Sequence, residues 1–477
     1  MGAFLSLAGI NRGTSEYKEL TLGETCKRQR TSSLFYGENS RLISSLPDEI
    51  SIQILARLPR ASYFTLRLVA RNWKAAITSP ELFNLRKELG LTEEWLYLLT
   101  KVEDDKLVWQ ALDPWSRKWQ RLPPMPNVVS NDEHRKGLSG LWTWNLVGPY
   151  TNIANVMRRW LRWNDEPEPL PFSGCATGAL GSCLYVLGGF SRDSAMRCVW
   201  KYDPVLNAWS EVPPMSTGRA YCRTSVLDNK LYVVGGVSQG QGGVAPLQSA
   251  EVFDPCSGAW SELPSMPFSK AELLPMPYFA DMLKPIATGM TSYRGKLCVP
   301  QSLYSWPFFV DVGGETYDPL TDTWEEMPTG MGDGWPARQA GTKLSVVVDG
   351  ELYSFDPSSS LNSGKIKVYD QKEDAWKVVI EKVPKCDFTD TESPYLLAAF
   401  HGKLHFIAKD ANHDIAVMQA DIRDDLSTLT STSSSTLPHC LLEHPASATE
   451  LGTVVWKVIA TRNSGSAELV NCLVLNI

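Results

Sequence analysis

The sequence predicts a mainly β fold, a β-propeller of six blades, with a small α-helical module before it. The first observation is a pattern found five times in the 477 residues: an aspartate, usually followed by proline, with a tryptophan six positions after it. The copies are Asp113 to Trp119, Asp203 to Trp209, Asp254 to Trp260, Asp318 to Trp324 and Asp370 to Trp376. The second observation is their spacing: the tryptophans follow one another at intervals of 90, 51, 64 and 52 residues, and propeller blades repeat at about fifty. A four-stranded unit of this length cannot bury both of its faces alone, so the units must stack.

Each copy predicts a tight turn between two strands. Aspartate accepts hydrogen bonds within its own turn, and proline fixes φ at the first corner position. Residue types that tolerate positive φ stand two positions before four of the tryptophans, and Arg117 is the exception. The four are Asn207, Gly258, Asp322 and Asp374. An apolar residue before each aspartate ends one strand and the tryptophan begins the next, so each copy marks a β-hairpin.

A strand–turn–strand pattern marks the first half of each unit. Residues 179–189 (ALGSCLYVLGG) recur as 226–236 (VLDNKLYVVGG), two strands around a two-residue turn. Weaker copies lie at 293–297, 348–353 and 400–404. The first unit, from residue 94, supplies only three strands, whereas residues 467–477 form a strand without a unit of its own. Because pairing them covers two open edges, we expect the C-terminal strand to close the first of six blades.

The composition argues against several classes of function. The 46 basic and 53 acidic residues give a net charge of −7, so no general basic field favours a nucleic acid as a partner. The ten cysteines are scattered without a C-x-x-C pair, and there is no secretory signal. This usage is typical of a reducing compartment and predicts the cytoplasm, the nucleus or both. No apolar run reaches the roughly eighteen residues of a membrane span.

No arrangement of side chains predicts catalysis or a bound metal. His401 and His405 lie four residues apart, but His401 occupies the turn position of Asp228 and Asp349, and His405 replaces Tyr232 of another unit. Both histidines are therefore explained as repeat positions, and a third ligand is missing. No Ser-His-Asp set has a signature spacing either. We expect no catalytic residue, no metal and no cofactor.

The first 43 residues predict a mobile leader, because they are polar and of mixed charge. Residues 1–6 (MGAFLS) fit the myristoylation pattern at Gly2, and Cys26 beside a small basic cluster offers the second signal that stable anchoring needs. The pattern constrains only two positions, so we favour an unmodified leader. A membrane contact is expected only if Gly2 is myristoylated.

Residues 44–90 predict short helices instead of strands. Ser44 or Ser45 can cap a first helix, which has two acidic residues in its first turn and ends at Pro59. A second helix contains Leu66, Val69 and Trp73, and a third begins at residues 79–81 (SPE). A module of this size is too small to bury its apolar surface by itself, so it predicts a partner.

Four segments of this module resemble an F-box, the helical motif that docks a Skp-family adaptor. They are residues 46–50 (LPDEI), 57–59 (RLP), 66–73 (LRLVARNW) and 79–83 (SPELF). Ala70, where many F-boxes carry Cys or Ser, is a mild departure. The alternative is an ordinary three-helix linker, which the order and spacing of the four segments disfavour. The resemblance implies an adaptor-docking face made of Leu46, Pro47, Ile50, Ile54, Leu58, Val69 and Trp73.

Paired glycines, Tyr-Asp-Pro, Trp and Leu-Pro-x-Met-Pro follow one another in units that resemble kelch repeats, whose blades form a β-propeller. The resemblance covers most of residues 94–477, although only the units at 174–215 and 220–267 keep every element. An F-box followed by kelch repeats resembles the plant-type F-box/kelch proteins. This implies a non-catalytic substrate receptor of an SCF-type ubiquitin ligase, which docks a Skp-family adaptor, and through it a cullin, and holds a target protein on its propeller. The alternatives are a kelch-propeller scaffold that joins no ligase and, less favoured, a kelch-propeller enzyme.

Residues 127–171 interrupt the repeats with an insert. It contains four tryptophans outside the repeat pattern: Trp142, Trp144, Trp160 and Trp163. Asn152 can cap a helix in the insert that has one apolar face. We favour packing of this helix against the propeller over a partner-binding helix, because apolar stripes are usually buried.

The loop lengths predict where a target binds. Turns between first and second strands and between third and fourth strands are short, and in an up-and-down blade both lie on one rim, the short-turn rim. The long connections all fall on the opposite, variable rim, and irregular loops on a rigid scaffold favour recognition. The candidate target contacts are Arg192, Arg219, Tyr304, Trp306, Trp335 and Arg338. Arg219 and Arg338 are chosen by their resemblance to kelch arginines that line a central mouth, although each can instead be a structural pin to a neighbouring carboxylate.

Overall fold

The computed structural model of the protein divides the chain into two units. Residues Met1–Thr92 form the first and Glu93–Ile477 the second, and each is described by itself. The structure describes residues 41–102, 106–126, 174–191, 194–240, 243–268, 285–305, 308–335, 345–356, 364–381, 383, 395–410, 412, 414–421 and 455–477. The predicted leader up to residue 40 and the predicted insert lie outside the described residues.

The helical module contains four short helices. They are α1 (Asp48–Ala56), α2 (Arg60–Leu66), α3 (Arg71–Ile77) and α4 (Pro80–Glu88). The prediction of a single second helix was wrong, because Ala70 has extended backbone angles (φ −157°, ψ 160°) and separates α2 from α3. The predicted cap at Ser44 or Ser45 was also wrong, since α1 begins directly after Pro47 and has no side-chain cap.

The module closes around a small apolar core with one buried cation. The core consists of Leu42, Leu55, Ala56, Tyr63, Ala76, Ile77 and Leu82. Arg86 is buried beside it, and its Nη1 donates to the carbonyl oxygens of Ala56 (2.8 Å) and Leu58 (2.7 Å). The guanidinium thus satisfies the carbonyl groups that the end of α1 leaves open.

Six antiparallel sheets form the blades of the second unit. Blade 1 contains β1 (Glu94–Lys101), β2 (Leu107–Leu112) and β3 (Trp119–Arg121). Blade 2 runs through β4 (Ala176–Leu180), β5 (Cys183–Leu187), the ribbon β6 (Phe190–Ser191) and β7 (Ser194–Ala195), then β8 (Val199–Asp203) and β9 (Ala208–Val212). Blade 3 runs through β10 (Arg223–Leu227), β11 (Lys230–Val234), the ribbon β12 (Val237–Gly240) and β13 (Gly243–Pro246), then β14 (Ala250–Asp254) and β15 (Ala259–Leu263).

The remaining blades follow the same order. Blade 4 contains β16 (Ile286–Ala287), β17 (Thr291–Tyr293), β18 (Lys296–Ser305), β19 (Phe308–Asp318) and β20 (Thr323–Glu326), and helix α5 (Thr329–Asp333) comes after it. Blade 5 contains β21 (Ser345–Val348), β22 (Glu351–Asp356), β23 (Lys365–Asp370) and β24 (Ala375–Ile380). Blade 6 contains β25 (Leu396–Phe400), β26 (Lys403–Lys409), β27 (Ile415–Asp421) and β28 (Val455–Arg462). The last strand is β29 (Glu468–Asn476).

The ring closes between the two ends of the propeller sequence. β29 pairs antiparallel with β1, from Glu94 opposite Asn476 to Lys101 opposite Glu468, and the sheet order is β29-β1-β2-β3. The backbone N–H and C=O of Glu93 also bond with those of Ile477, at 2.7 and 2.9 Å. The predictions of six blades and of a C-terminal strand that closes the first are both confirmed.

The predicted turns owe their shape to a few residues. In the Asp-to-Trp turns the carboxylate accepts the backbone N–H two residues later, as Asp203 does from Val205 at 2.7 Å. The residue two before each tryptophan has positive φ, and even Arg117, the sequence exception, has φ 58°. The short turns after the first strands of blades 3 to 6 have positive φ at two positions, as at Asp228 (49°) and Asn229 (56°), which is the twist that suits a hairpin.

The repeated tryptophans join neighbouring blades through their indole N–H groups. Trp260 of blade 3 donates to the carbonyl of Pro213 in blade 2 at 2.8 Å, and Trp119 of blade 1 donates across the closure to Thr461 in blade 6 at 3.2 Å. The same bond is made by Trp209 to Pro123, Trp324 to Pro264 and Trp376 to Met331. These five tryptophans therefore lie between neighbouring blades.

We expect Trp260→Phe to lower the free energy of unfolding by about 1 kcal/mol, because the ring can still pack while one interblade hydrogen bond is lost. Urea denaturation followed by far-UV circular dichroism measures the change. The matched control is Trp115→Phe, since Trp115 is 73% exposed and its indole should contribute nothing. Equal effects of the two substitutions would contradict an interblade role for the indole bond.

The first strands of the blades, and β29 in blade 1, surround the propeller axis. Because they are not paired by backbone ladders, side chains connect them: Asn471 Nδ2 donates to Thr177 Oγ1 (2.7 Å), and Thr224 Oγ1 donates to the Thr177 carbonyl (2.7 Å). On the other side of the axis the hydroxyl groups of Thr291 and Ser345 lie 2.8 Å apart. Apolar clusters fill the space between blades farther out, such as Leu187, Val199, Leu231 and Val233 between blades 2 and 3.

None of the described helices is both long enough and apolar enough to cross a lipid bilayer.

Candidate partner-binding surfaces

The helical module exposes apolar side chains on one side of α1. Ile50 is 45% exposed and Ile54 is 40% exposed, and a spacing of four residues places both on the same helix face. The opposite face of α1 carries the buried Leu55 and Ala56. Since apolar side chains of this size are usually covered in a folded protein, this face of α1 is a candidate docking surface.

The segment between α2 and α3 supplies a second exposed apolar group. Val69 is 59% exposed, and its neighbour Leu68, which the sequence analysis did not select, is 84% exposed. Both follow from the break in the helix, because residues outside α2 and α3 are not held against the core. Leu68 was missed because the sequence analysis placed it inside a continuous helix. A predicted break at this point would have made the adjacent apolar pair Leu68 and Val69 a candidate.

The other predicted docking residues differ in exposure. Pro47 is exposed, Leu46 is half-buried, and Leu58 and Trp73 are half-buried against the module core. The indole N–H of Trp73 donates to the Leu42 carbonyl at 2.6 Å. Leu58 and Trp73 therefore support the module from inside, and a direct adaptor contact by either remains a prediction.

Arg219 lies inside blade 3 and not on the variable rim. It has no exposed surface and forms an ion pair with the buried Glu251 at 2.8 Å. Its Nε and Nη2 both donate to Glu251 Oε1, its Nη1 to the carbonyls of Gly235 and Ser249, and its Nη2 also to Ser249 Oγ. These bonds use all five N–H donors of a guanidinium. Of the two alternatives, a target contact or a structural ion pair with a neighbouring carboxylate, Arg219 is the second. Its prediction as a target contact was wrong.

Trp335 is likewise buried, at 5% exposure. Its ring meets Trp376 edge to face, with 5.6 Å between the ring centroids. Asp374 holds the start of the same segment, because its carboxylate accepts the N–H groups of Gly330 (2.9 Å) and Met331 (3.1 Å). The tryptophan thus anchors α5 onto blade 5, and the structure does not place it where a target could touch it.

The remaining predicted target contacts are only partly described. Tyr304 lies in β18, where its backbone pairs with Phe309 of β19. Arg192, Trp306 and Arg338 lie outside the described residues, as do the four tryptophans of the insert.

Blades 2, 3 and 4 extend the variable rim with ribbons. β6 pairs with β7, β12 pairs with β13, and β18 and β19 continue their pairing to Ser305 opposite Phe308. A small apolar cluster of Phe190, Ala220 and Val237 joins the first two ribbons. The described parts of these three connections are thus paired as ribbons on the predicted rim.

Burial makes one histidine and two of the described thiols unreactive. His405 is buried, its Nδ1 lies 3.0 Å from the Lys403 carbonyl, and burial lowers its pKa to about 4, so the ring is neutral. Burial raises the pKa of Cys175 to about 12 and that of Cys222 to about 11, which keeps both thiols protonated. Within the described ranges, no three His, Cys, Asp or Glu side chains come together in a way that could hold a metal ion.

Comparison with known families agrees with this geometry. Residues 43–85 match the sequence model of the F-box domain family, and this segment contains almost all of the four short helices. The description of a kelch-repeats domain of the FKB95 type matches residues 157–423, more than half of the chain.

Curated relatives match both units. The F-box/kelch-repeat protein At1g22040 of Arabidopsis thaliana is 60% identical over 480 residues, which is 100% of either chain. F-box/kelch-repeat protein At1g30090 of the same plant is 28% identical over 65% of this chain and 64% of its own. The F-box protein AFR, also from Arabidopsis thaliana, is 28% identical over 65% of this chain and 68% of its own.

Proposed function

The chain belongs to the F-box/kelch-repeat family, and from that premise we propose that it is the substrate-recognition subunit of an SCF-type ubiquitin ligase. Its helical module binds a Skp-family adaptor and through it a cullin. Its propeller binds the protein to be ubiquitinated. The single observation that carries the adaptor half is the exposed apolar surface of Ile50, Ile54, Leu68 and Val69 in a module that matches an F-box.

The exposed side chains have the chemistry of a protein interface. Aliphatic residues that a folded unit leaves in water gain free energy when a partner removes them from it, by roughly 25 cal/mol per Å² of apolar surface. The core beneath them is packed, and Arg86 donates to the carbonyl groups of Ala56 and Leu58 at the end of α1. The helices can therefore present Ile50 and Ile54 on a fixed surface, which keeps the ordering cost of binding low.

The propeller contributes position and not bond chemistry. Its strands close into a ring without open ends, so loops on the variable rim are carried by a rigid scaffold. A target held there has a high effective concentration near the charged ubiquitin-conjugating enzyme that the cullin recruits. The second candidate function is a kelch scaffold that joins no ligase, but this function does not explain the exposed apolar face of α1.

We expect Ile50→Ser combined with Val69→Ser to reduce adaptor binding at least about a hundredfold, because interfaces depend on a few central apolar anchors. Copurification of the full chain with a Skp-family adaptor and a cullin gives the first readout, and titration calorimetry the affinity. Leu46→Ala with Pro47→Ala tests the predicted start of the face in the same way.

The matched control is Leu89→Ser, an apolar residue that is 40% exposed at the end of α4 and outside the predicted face. It should leave adaptor binding unchanged. Circular dichroism confirms that each variant remains folded. If the unchanged chain does not retain adaptor and cullin, the ligase assignment is wrong; if the double variant binds as well as the unchanged chain, the assigned docking face is wrong.

A further inference from the structure

Arg223 is the charged residue at the variable-rim end of an axis-lining strand. It begins β10, whose other end leads into the short turn at Asp228. The strand therefore starts at the variable rim and faces the axis shared by the first strands. Its Nε donates to the carbonyl of Ala287 in blade 4 at 3.3 Å, so the guanidinium bridges blades 3 and 4 at the mouth of the central channel.

The guanidinium has no carboxylate partner in the part of the chain that the structure describes. Glu251, the nearby buried acid, is already occupied: it accepts both Nε and Nη2 of Arg219, and also the N–H groups of Ser216 (2.6 Å) and Thr217 (3.2 Å). The bond to Ala287 uses one of the five donors of Arg223, which leaves both Nη atoms for another group. The side chain is half-buried, so part of its surface is open to solvent.

A partly buried cation without an opposite charge is energetically unfavourable. Burial lowers the pKa of Arg223, yet a guanidinium stays charged at any physiological pH. Removing a charge from water without an opposite charge carries a net cost. The sites where proteins keep such a cost are commonly sites where a ligand supplies the missing partner.

We propose that Arg223 receives an acidic side chain of the target protein at the mouth of the propeller channel. The two Nη atoms form a fork that matches both oxygens of a carboxylate, and such a pair gains in strength where water is partly excluded. The hydroxyl of Thr224 and the amide of Asn471 stand one level deeper and are occupied by Thr177, so the incoming carboxylate stops at Arg223. This inference rests on the proposed function, since it names the chemistry by which the propeller holds its target.

The test selects peptides from a random library on the full chain, then remakes the enriched peptides with each Asp or Glu changed to Asn or Gln. We expect the enriched peptides to contain an acidic residue whose amide form binds at least about tenfold more weakly, and Arg223→Gln to weaken the acidic form by a similar factor. Arg294→Gln is the matched control, an exposed arginine on the short-turn rim, and it should bind the peptides normally. Enriched peptides without an acidic requirement, or full binding by Arg223→Gln, would overturn the proposal.

A second measurement separates a ligand site from an internal ion pair. If Arg223 has no internal ion pair, Arg223→Gln removes an unfavourable charge and one hydrogen bond to Ala287, and the melting temperature of the free protein changes little. A fall as large as that of Arg219→Met, which breaks a buried ion pair, would show that Arg223 has a structural carboxylate partner and would contradict the proposal. Adaptor copurification is read in parallel, because peptide binding that depends on Arg223 without adaptor binding would refute the ligase role alone.

Discussion

Deleting residues 467–477 is expected to abolish soluble expression of the propeller. β29 forms the axis-facing strand of blade 1 and pairs with β1 over its whole length. The deleted segment contains six buried apolar residues, which are Ala467, Leu469, Cys472, Leu473, Leu475 and Ile477. At about 1.5–3 kcal/mol for each large side chain, their loss removes roughly 10 kcal/mol, which is comparable with the entire stability of an ordinary domain.

The deletion also exposes a new edge. β1 carries the buried Leu96, Leu98 and Leu99, so without β29 it presents unpaired backbone beside an apolar surface, which favours aggregation. Solubility after lysis and the melting temperature of any soluble fraction measure the effect. Asn476→Ser is the control, since this exposed side chain ends the same strand, and it should behave like the unchanged protein. A soluble truncation with an unchanged melting temperature would refute the closure.

The sequence was sufficient for features that depend on local chemistry. The Asp-to-Trp turns require particular backbone angles, so the residues that supply them recur at fixed positions and identify the hairpins. Arg117 shows that the pattern is stronger than any one residue, because the turn imposes positive φ (58°) on a residue type that rarely adopts it. Closure of the ring could be predicted because the first blade lacks one strand and the terminal strand lacks a blade, so pairing the two completes a four-stranded sheet.

Features that depend on long-range burial could not be predicted. Arg219 and Arg223 stand only four residues apart, yet Arg219 has no exposed surface and is paired with Glu251, whereas Arg223 is half-buried and bonds to Ala287 of the next blade. Their difference depends on Glu251, which is thirty-two residues from Arg219. Trp335 was misplaced for the same reason, since its burial depends on Trp376 of the next blade. The break between α2 and α3 was missed because Ala70, which has extended backbone angles, is a residue type that favours helices.

Arg219→Met is expected to destabilise the propeller by about 3–5 kcal/mol, because it leaves the Glu251 carboxylate buried without its cation. The carbonyl of Gly235 loses its Arg219 donor at the same time, and that of Ser249 keeps only the N–H of Gly235. Any loss of target capture by this variant would then follow from unfolding and not from a lost contact. Urea denaturation of the full chain, monitored by tryptophan fluorescence, gives the size of the effect.

The double variant Arg219→Met with Glu251→Leu separates the charge from the packing. Replacing both partners with apolar residues removes the unpaired charge, so we expect the double variant to regain more than half of the stability lost by Arg219→Met alone. Recovery should be incomplete, because Glu251 also accepts the N–H groups of Ser216 and Thr217, and these are then left unsatisfied. If the double variant is as unstable as the sum of the two single variants, the two residues act independently, and the ion pair is not what holds this loop in blade 3.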